Sequence, residues 1–135
     1  MLKFHDIKVG DYLIADNDGD IVQGEVTNLK HGENQVCIDN GVQEFWYEMN
    51  QLSGISLDER QLELLKFTKQ ENADGSVKYL KGAFRILLPV KNDFSAMEIW
   101  YRDEKRHITH ALFVHELQNH FYEMTKVHLN TDSFE

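Results

Sequence analysis

Val9-Gly10-Asp11-Tyr12-Leu13-Ile14-Ala15-Asp16-Asn17-Asp18-Gly19-Asp20-Ile21-Val22-Gln23-Gly24-Glu25-Val26-Thr27-Asn28-Leu29 decides the fold of the first part of the chain. Two β-prone runs flank Asp18-Gly19, a pair that tolerates the positive φ angles of a primed two-residue turn, so the stretch reads as a hairpin. Further on, Gln35-Val36-Cys37-Ile38-Asp39 and Val42-Gln43-Glu44-Phe45-Trp46-Tyr47 flank Asn40-Gly41 in the same way. Four short strands with close turns predict an antiparallel meander, curled into a small barrel that hides its edges. Gly24, inside a strand, marks the sharp bend such curling needs.

The order of a Val-Gly-Asp strand start, an Asp-Gly turn, a long strand and an Asn-Gly turn resembles small Src-homology and Tudor-like β-barrels, a likeness that covers residues 1–55. Beyond it the period changes. Ser56-Leu57-Asp58-Glu59-Arg60-Gln61-Leu62-Glu63-Leu64-Leu65-Lys66-Phe67 predicts a helix with Ser56 as N-cap, Glu59 completing a capping box, and acids near the positive end of the helix dipole. Strands are expected near 67–71 and 77–80 around Asp74-Gly75, then at Ala83–Val90 and Ala96–Tyr101. Pro89, which lacks a donor, belongs at a strand end or an edge. A final helix is predicted from the spacing of Val114, Leu117, Phe121 and Met124, with Phe113 beside that buried stripe. The expected fold class is therefore α+β. Its parts are a barrel over 1–55, a helix–sheet–helix unit over 56–128 with the C-terminal helix packed on the sheet, and a flexible tail over 129–135.

Composition and charge narrow the function classes. With 135 residues, 41% of them hydrophobic, the chain is long enough for one ordinary core or two small ones. No run approaches the roughly 18 apolar residues of a membrane helix, and the start lacks the apolar stretch of an export signal. One cysteine, Cys37, cannot form an internal disulfide, which together with these points predicts a reducing cytoplasm. The net charge of -9 is uneven: residues 1–56 hold three lysines against ten acids, and the remainder 11 basic residues against 13 acids. Nucleic acid is disfavoured as a partner of the acidic first part, because a phosphate backbone is bound by displacing counterions with Lys and Arg. In the second part Lys78, Lys81, Arg85, Arg102, Lys105 and Arg106 are the candidates for such a cluster.

The histidine-rich C-terminal stretch, with His107, His110, His115 and His120, invites a metal reading. Zinc hydrolases place two histidines four apart on one helix face around a glutamate. Here His115-Glu116 is followed by His120 after five residues, which sets the two rings about 140° apart on a regular helix. The motif is absent, and no metal or cofactor is expected. Asp16-Asn17-Asp18-Gly19-Asp20 resembles a calcium loop, but its glycine precedes the last carboxylate and Thr27 stands where a bidentate glutamate belongs. Cys37, amid strand residues, reads as a structural thiol, and no catalytic residue is assigned. The candidate binding residues are Tyr12 and Trp46, as aromatics a small barrel leaves exposed, and His115, Gln118 and Asn119, as polar groups beside a buried helix face.

Ile7-Lys8-Val9-Gly10-Asp11-Tyr12, then Gly54-Ile55-Ser56-Leu57-Asp58-Glu59 opening a Leu-rich helix, then Val114-His115-Glu116-Leu117-Gln118-Asn119-His120-Phe121-Tyr122-Glu123-Met124-Thr125, resemble a group of small proteins without assigned activity in phages and mobile elements of anaerobic gut bacteria. The recognisable core of the last motif is His115, Leu117, Gln118, Asn119 and Tyr122. His120 stands where an apolar residue is usual, and the family's proline at the middle helix is missing. The resemblance implies a phage or mobile-element context and carries no activity; the leading expectation is a non-enzymatic accessory protein that works through protein–protein contacts, with an unknown protein partner, no membrane, and a monomeric or homodimeric state. The alternatives are a metal-dependent hydrolase using the histidine-rich helix, or a nucleic-acid-binding accessory protein.

Overall fold

The computed structural model describes residues 2–132. Within them lie two five-stranded antiparallel sheets and two α-helices, an α+β arrangement. The first sheet contains β1 (Tyr12–Asn17), β2 (Asp20–Lys30), β3 (Gln35–Asp39), β4 (Glu44–Glu48) and β5 (Leu52–Ser53), in the order β4-β3-β2-β1-β5. The second contains β6 (Thr68–Glu71), β7 (Val77–Lys81), β8 (Phe84–Leu88), β9 (Met97–Tyr101) and β10 (Glu104–Ile108), in the order β10-β9-β8-β7-β6. The helices are α1 (Glu59–Leu64) and α2 (Val114–Thr125), and one-turn 3-10 helices occupy Phe4–Asp6 and Met49–Gln51. Two compact units result: Met1–Ile55 with Phe113–Asn119, and Ser56–Leu112 with His120–Glu135.

In the first unit turn chemistry sets the register. Asp18 and Gly19 take φ of 53° and 89°, and Asp16 Oδ1 accepts the Gly19 N–H at 2.8 Å, which closes the β1–β2 hairpin with Asn17 opposite Asp20. The calcium-like carboxylates therefore serve a turn. The second hairpin is looser than the Asn40-Gly41 pair suggests. Asn40 Oδ1 accepts from both Val42 and Gln43 N–H, so a four-residue loop forms and β4 begins at Glu44 instead of Val42. At Gly24 the close approach of β3 forbids a side chain: a Cβ there would lie 2.4 Å from Ile38 Cγ2 and 2.6 Å from the Asp39 carbonyl. Ile7, Leu13, Ala15, Val26, Val36, Ile38, Tyr47 and Leu52 form the core beneath these strands, each large apolar side chain contributing roughly 1.5–3 kcal/mol by leaving water.

The second unit corrects two expectations. Ser56 does not cap α1. The cap is Asp58, whose carboxylate accepts the Gln61 N–H at 2.8 Å, because the Leu57 N–H is already committed to the Leu112 carbonyl at 3.2 Å. His107 lies in β10, opposite Glu98, so that strand runs on to Ile108 and the last helix starts at Val114. The core here is aromatic at its centre: Phe84 of β8 lies 6.2 Å from Phe67 and 4.6 Å from Phe121 of α2, ring centre to ring centre. Val114, Leu117, Phe121 and Met124 are all buried. Of the segment expected as a tail, residues 133–135 lie outside the described residues, while Leu129 is buried.

Lys81 is also buried, which removes it from any basic surface. Its ammonium donates to the carbonyls of Leu65 (2.7 Å), Asn130 (3.1 Å) and Asp132 (3.0 Å), and burial pushes its pKa below the ordinary lysine value. One cation thus ties the end of α1 and the 130–132 segment to β7. Replacing it by Ala leaves three acceptors without their donor and is expected to cost about 2–4 kcal/mol. Urea denaturation of Lys81→Ala checks this, and a loss below about 1 kcal/mol would mean that water replaces the ammonium.

Candidate functional site

The first turns of α2 are built by local capping. Glu116 Oε1 accepts the Phe113 N–H at 2.8 Å, and the Val114 N–H donates to the Ile55 carbonyl at 2.8 Å, so two of the helix's orphan donors are satisfied. His115, Gln118 and Asn119 then fall at i, i+3 and i+4 and share a face. Asn119 Nδ2 donates to the Asp6 carbonyl at 2.7 Å. Gln118, 0% exposed, accepts the Tyr12 N–H on Oε1 at 2.8 Å and donates from Nε2 to the Gly10 carbonyl at 2.9 Å. The chain can present both groups because Gly10 takes a φ of 99° and Lys8 closes the turn, its backbone N–H reaching Asp11 Oδ2 at 3.0 Å and its ammonium pairing with Asp11 Oδ1.

His115 differs from its two neighbours. It is 3% exposed, yet among the described residues its Nδ1 has no hydrogen-bond partner. Leaving a polar atom in that state costs about 1–3 kcal/mol, and native folds hold few such atoms. Burial lowers the imidazole pKa below its ordinary value of 6.5, against the carboxylates of Glu116 and Asp6, which raise it, and with Lys8, which lowers it. The ring is held by Phe113, stacked at 5.9 Å between centres and 13° between planes. Phe113 is itself pinned by Gly54, where a Cβ would lie 2.5 Å from the ring. Phe113, expected beside the buried stripe, immediately precedes the helix and is 42% exposed.

Beside this turn lies a cavity of about 530 Å³. Leu2, Lys3 and Asp6 come to it from the chain's start, and Met49, Asn50, Leu52, Ser53 and Gly54 from the 3-10 turn and β5. Phe113, His115 and Glu116 complete the wall. Its wall combines apolar and polar side chains, as in pockets that orient a small molecule. Sequence reasoning singled out His115 but not the rest of this wall. The signal available in retrospect is Gly54 ahead of Ile55, a glycine with no turn to make.

The other expected residues lie elsewhere. Tyr12 and Trp46 are not strand neighbours: they lie on β1 and β4, which β2 and β3 separate in the sheet. Trp46 is 39% exposed, and its face carries the chain's own Lys30 ammonium, 4.6 Å from the ring centre. Phe45 and Tyr47 point to the opposite side and meet edge to face at 6.4 Å. Cys37 is a buried free thiol opposite Trp46. The histidines do not converge. His107 faces Glu98 at 3.8 Å, and His120 Nδ1 accepts from Arg106 Nη1 at 2.8 Å. Among the described residues no three His, Cys, Asp or Glu side chains are placed to hold a metal ion.

Two expectations test this assignment. Gln118→Ala removes both of its backbone bonds and should destabilise the fold by about 2–4 kcal/mol, read from urea denaturation; a change within about 0.5 kcal/mol would refute the structural role. For His115 the native pKa is depressed, so below about pH 6.5 the unfolded chain takes the proton first. Stability contributed by the neutral ring is complete above that pH and is lost as pH falls toward the native value. A melting-temperature series from about pH 7.5 to about pH 5 should therefore be flatter for His115→Gln than for the parent, whereas parallel curves would assign the acid sensitivity to other groups.

Comparison with protein-family models, with curated proteins and with solved structures gives no match for this chain.

Proposed function

We propose that this chain is a non-enzymatic accessory protein, of phage or mobile-element type and cytoplasmic, that acts through protein–protein contacts on the outer face of β2, β3 and β4. The order β4-β3-β2-β1-β5, with a 3-10 turn before the last strand, supports reading the first unit as a Src-homology or Tudor-like barrel. Its edge strand β4 is a ready partner for another extended chain. Cross-strand pairing sets Glu44, Trp46 and Glu48 on one face with Asp39 and Lys30. The result is an acidic surface with a half-exposed tryptophan at its middle, which suits an extended segment rich in Lys or Arg. The single observation that carries this reading is Trp46, exposed on an edge strand and already holding a cation, Lys30, over its ring. A partner's Lys or Arg would take the place of Lys30.

The test is capture of partners from the native host by the parent and by Trp46→Ala, followed by affinity measurement on the purified partner. The expected loss is about tenfold or more, as for an aromatic anchor of an interface. Equal affinity of the two forms for every captured protein would refute the surface.

A specific observation favours a second reading, nucleic-acid binding, for the other sheet. Lys78 and Lys105 place their ammonium groups 5.8 and 5.7 Å from the Trp100 ring centre, and Arg85 is paired opposite Trp100. Of the six basic residues expected to cluster, these three do so, Lys105 while also pairing with Glu98 at 3.4 Å; Lys81 is buried, Arg106 pairs with both Glu104 and Glu123, and Arg102 lies over Tyr101. Three phosphate contacts predict that binding of a single-stranded oligonucleotide weakens about 20-fold between about 50 and about 200 mM salt. Absence of binding at the lower salt in a fluorescence polarisation assay would dismiss this reading.

A further inference from the structure

We propose that the cavity beside the first turn of α2 binds a small planar aromatic amine that carries no phosphate or carboxylate. The inference is independent of the strand face proposed for protein contacts. Its size, about 530 Å³, lies within the range of small-molecule pockets and is too small to take a folded partner.

Three features of the wall select the ligand. The first is the Phe113 ring, part exposed, with one face against His115 and its position fixed by Gly54. A ring held that firmly offers a flat apolar surface, to which planar aromatics stack in offset geometry. The second is charge. Asp6 and Glu116 bring two carboxylates to the wall and Lys3 one ammonium, so an anionic ligand meets net repulsion and an amino group meets acceptors. The third is His115, whose ring stands on the wall and whose Nδ1, closed to solvent in this rotamer, has no hydrogen-bond partner among the described residues. A neutral imidazole has one accepting nitrogen, and a half-turn about its soft last torsion exchanges ring nitrogens with ring carbons. Turned so that a nitrogen faces the cavity, the ring would offer its acceptor to a ligand N–H. Gln118 and Asn119, on the same helix face, are both engaged with backbone and so do not compete for it.

Calorimetric titration of the full chain with adenosine and with tryptamine tests the proposal. The two probes distinguish an amino group on the ring from a cationic amine on a short arm. Each has an anionic counterpart of similar shape, adenosine monophosphate and indole acetate. Binding of at least one amine is expected, about tenfold or more tighter than its anionic counterpart. Phe113→Ala should abolish that binding. Because Phe113→Ala also removes packing against Gly54, a second variant, Asn50→Trp, fills the cavity from an exposed rim position. It should abolish binding while leaving the melting temperature unchanged. His115→Gln should weaken binding about tenfold without restoring affinity for the anions. Failure of both amines to bind at millimolar concentration, binding of an anion as tight as its amine, or undiminished binding to folded Asn50→Trp would each overturn the proposal.

Discussion

The paired hydrogen bonds of Gln118 are the constraint on which the first unit depends. Gly10 and Tyr12 stand where the chain enters β1, and Gln118 meets the carbonyl of one and the N–H of the other from 108 and 106 residues away. A primary amide has the donor and acceptor of a peptide group, so it acts there as a strand partner one residue long. The buried site makes the match compulsory, since either backbone group left alone would carry the desolvation cost of an unpaired dipole. Asn119 repeats the device at the Asp6 carbonyl. The start of β1 is thereby fixed from two sides: by Val26, which exchanges backbone bonds with Gly10 and Asp11, and by the helix.

That dependence explains what was legible in the residues and what was not. The hairpins were legible because their causes are local. Asp18-Gly19 needs only its own φ angles and the Asp16 carboxylate, and the helical spacing of Val114, Leu117, Phe121 and Met124 needs only a period. The misreadings arise where a distant backbone group decides the matter. Ser56 has the right chemistry for an N-cap, but Leu57 is bound to Leu112, which moves the cap to Asp58. No strand is expected between Tyr101 and the last helix, yet cross-strand pairing with β9 claims Glu104–Ile108 for one. The burial of His115 is a consequence of where Phe113, Gly54 and the chain's start come together, which no pattern within 107–124 encodes.

The two sheets illustrate how similar strand patterns produce different surfaces. On the first, Trp46 sits among Asp39, Glu44 and Glu48 with one lysine over its ring. On the second, Trp100 sits between two lysines with an arginine paired opposite. Each tryptophan is thus a cation site, but the first has an excess of acids around it and the second an excess of bases. Exposed side chains at these rows add little to stability, because ion pairs in water contribute from zero to about 1 kcal/mol. Their arrangement is informative about partners for that reason: the fold does not require it.

The same reasoning sharpens the contrast along the polar face of α2. Gln118 and Asn119 are explained in full by the backbone groups they satisfy, so their presence argues for architecture alone. His115 receives no such explanation. A Leu or Met of similar volume would fill the space behind Phe113 without an orphaned nitrogen, and the substitution would remove a cost of about 1–3 kcal/mol. The backbone of the fold therefore gives no reason for a titratable ring at that place on the cavity wall, and this sets His115 apart from Gln118 and Asn119.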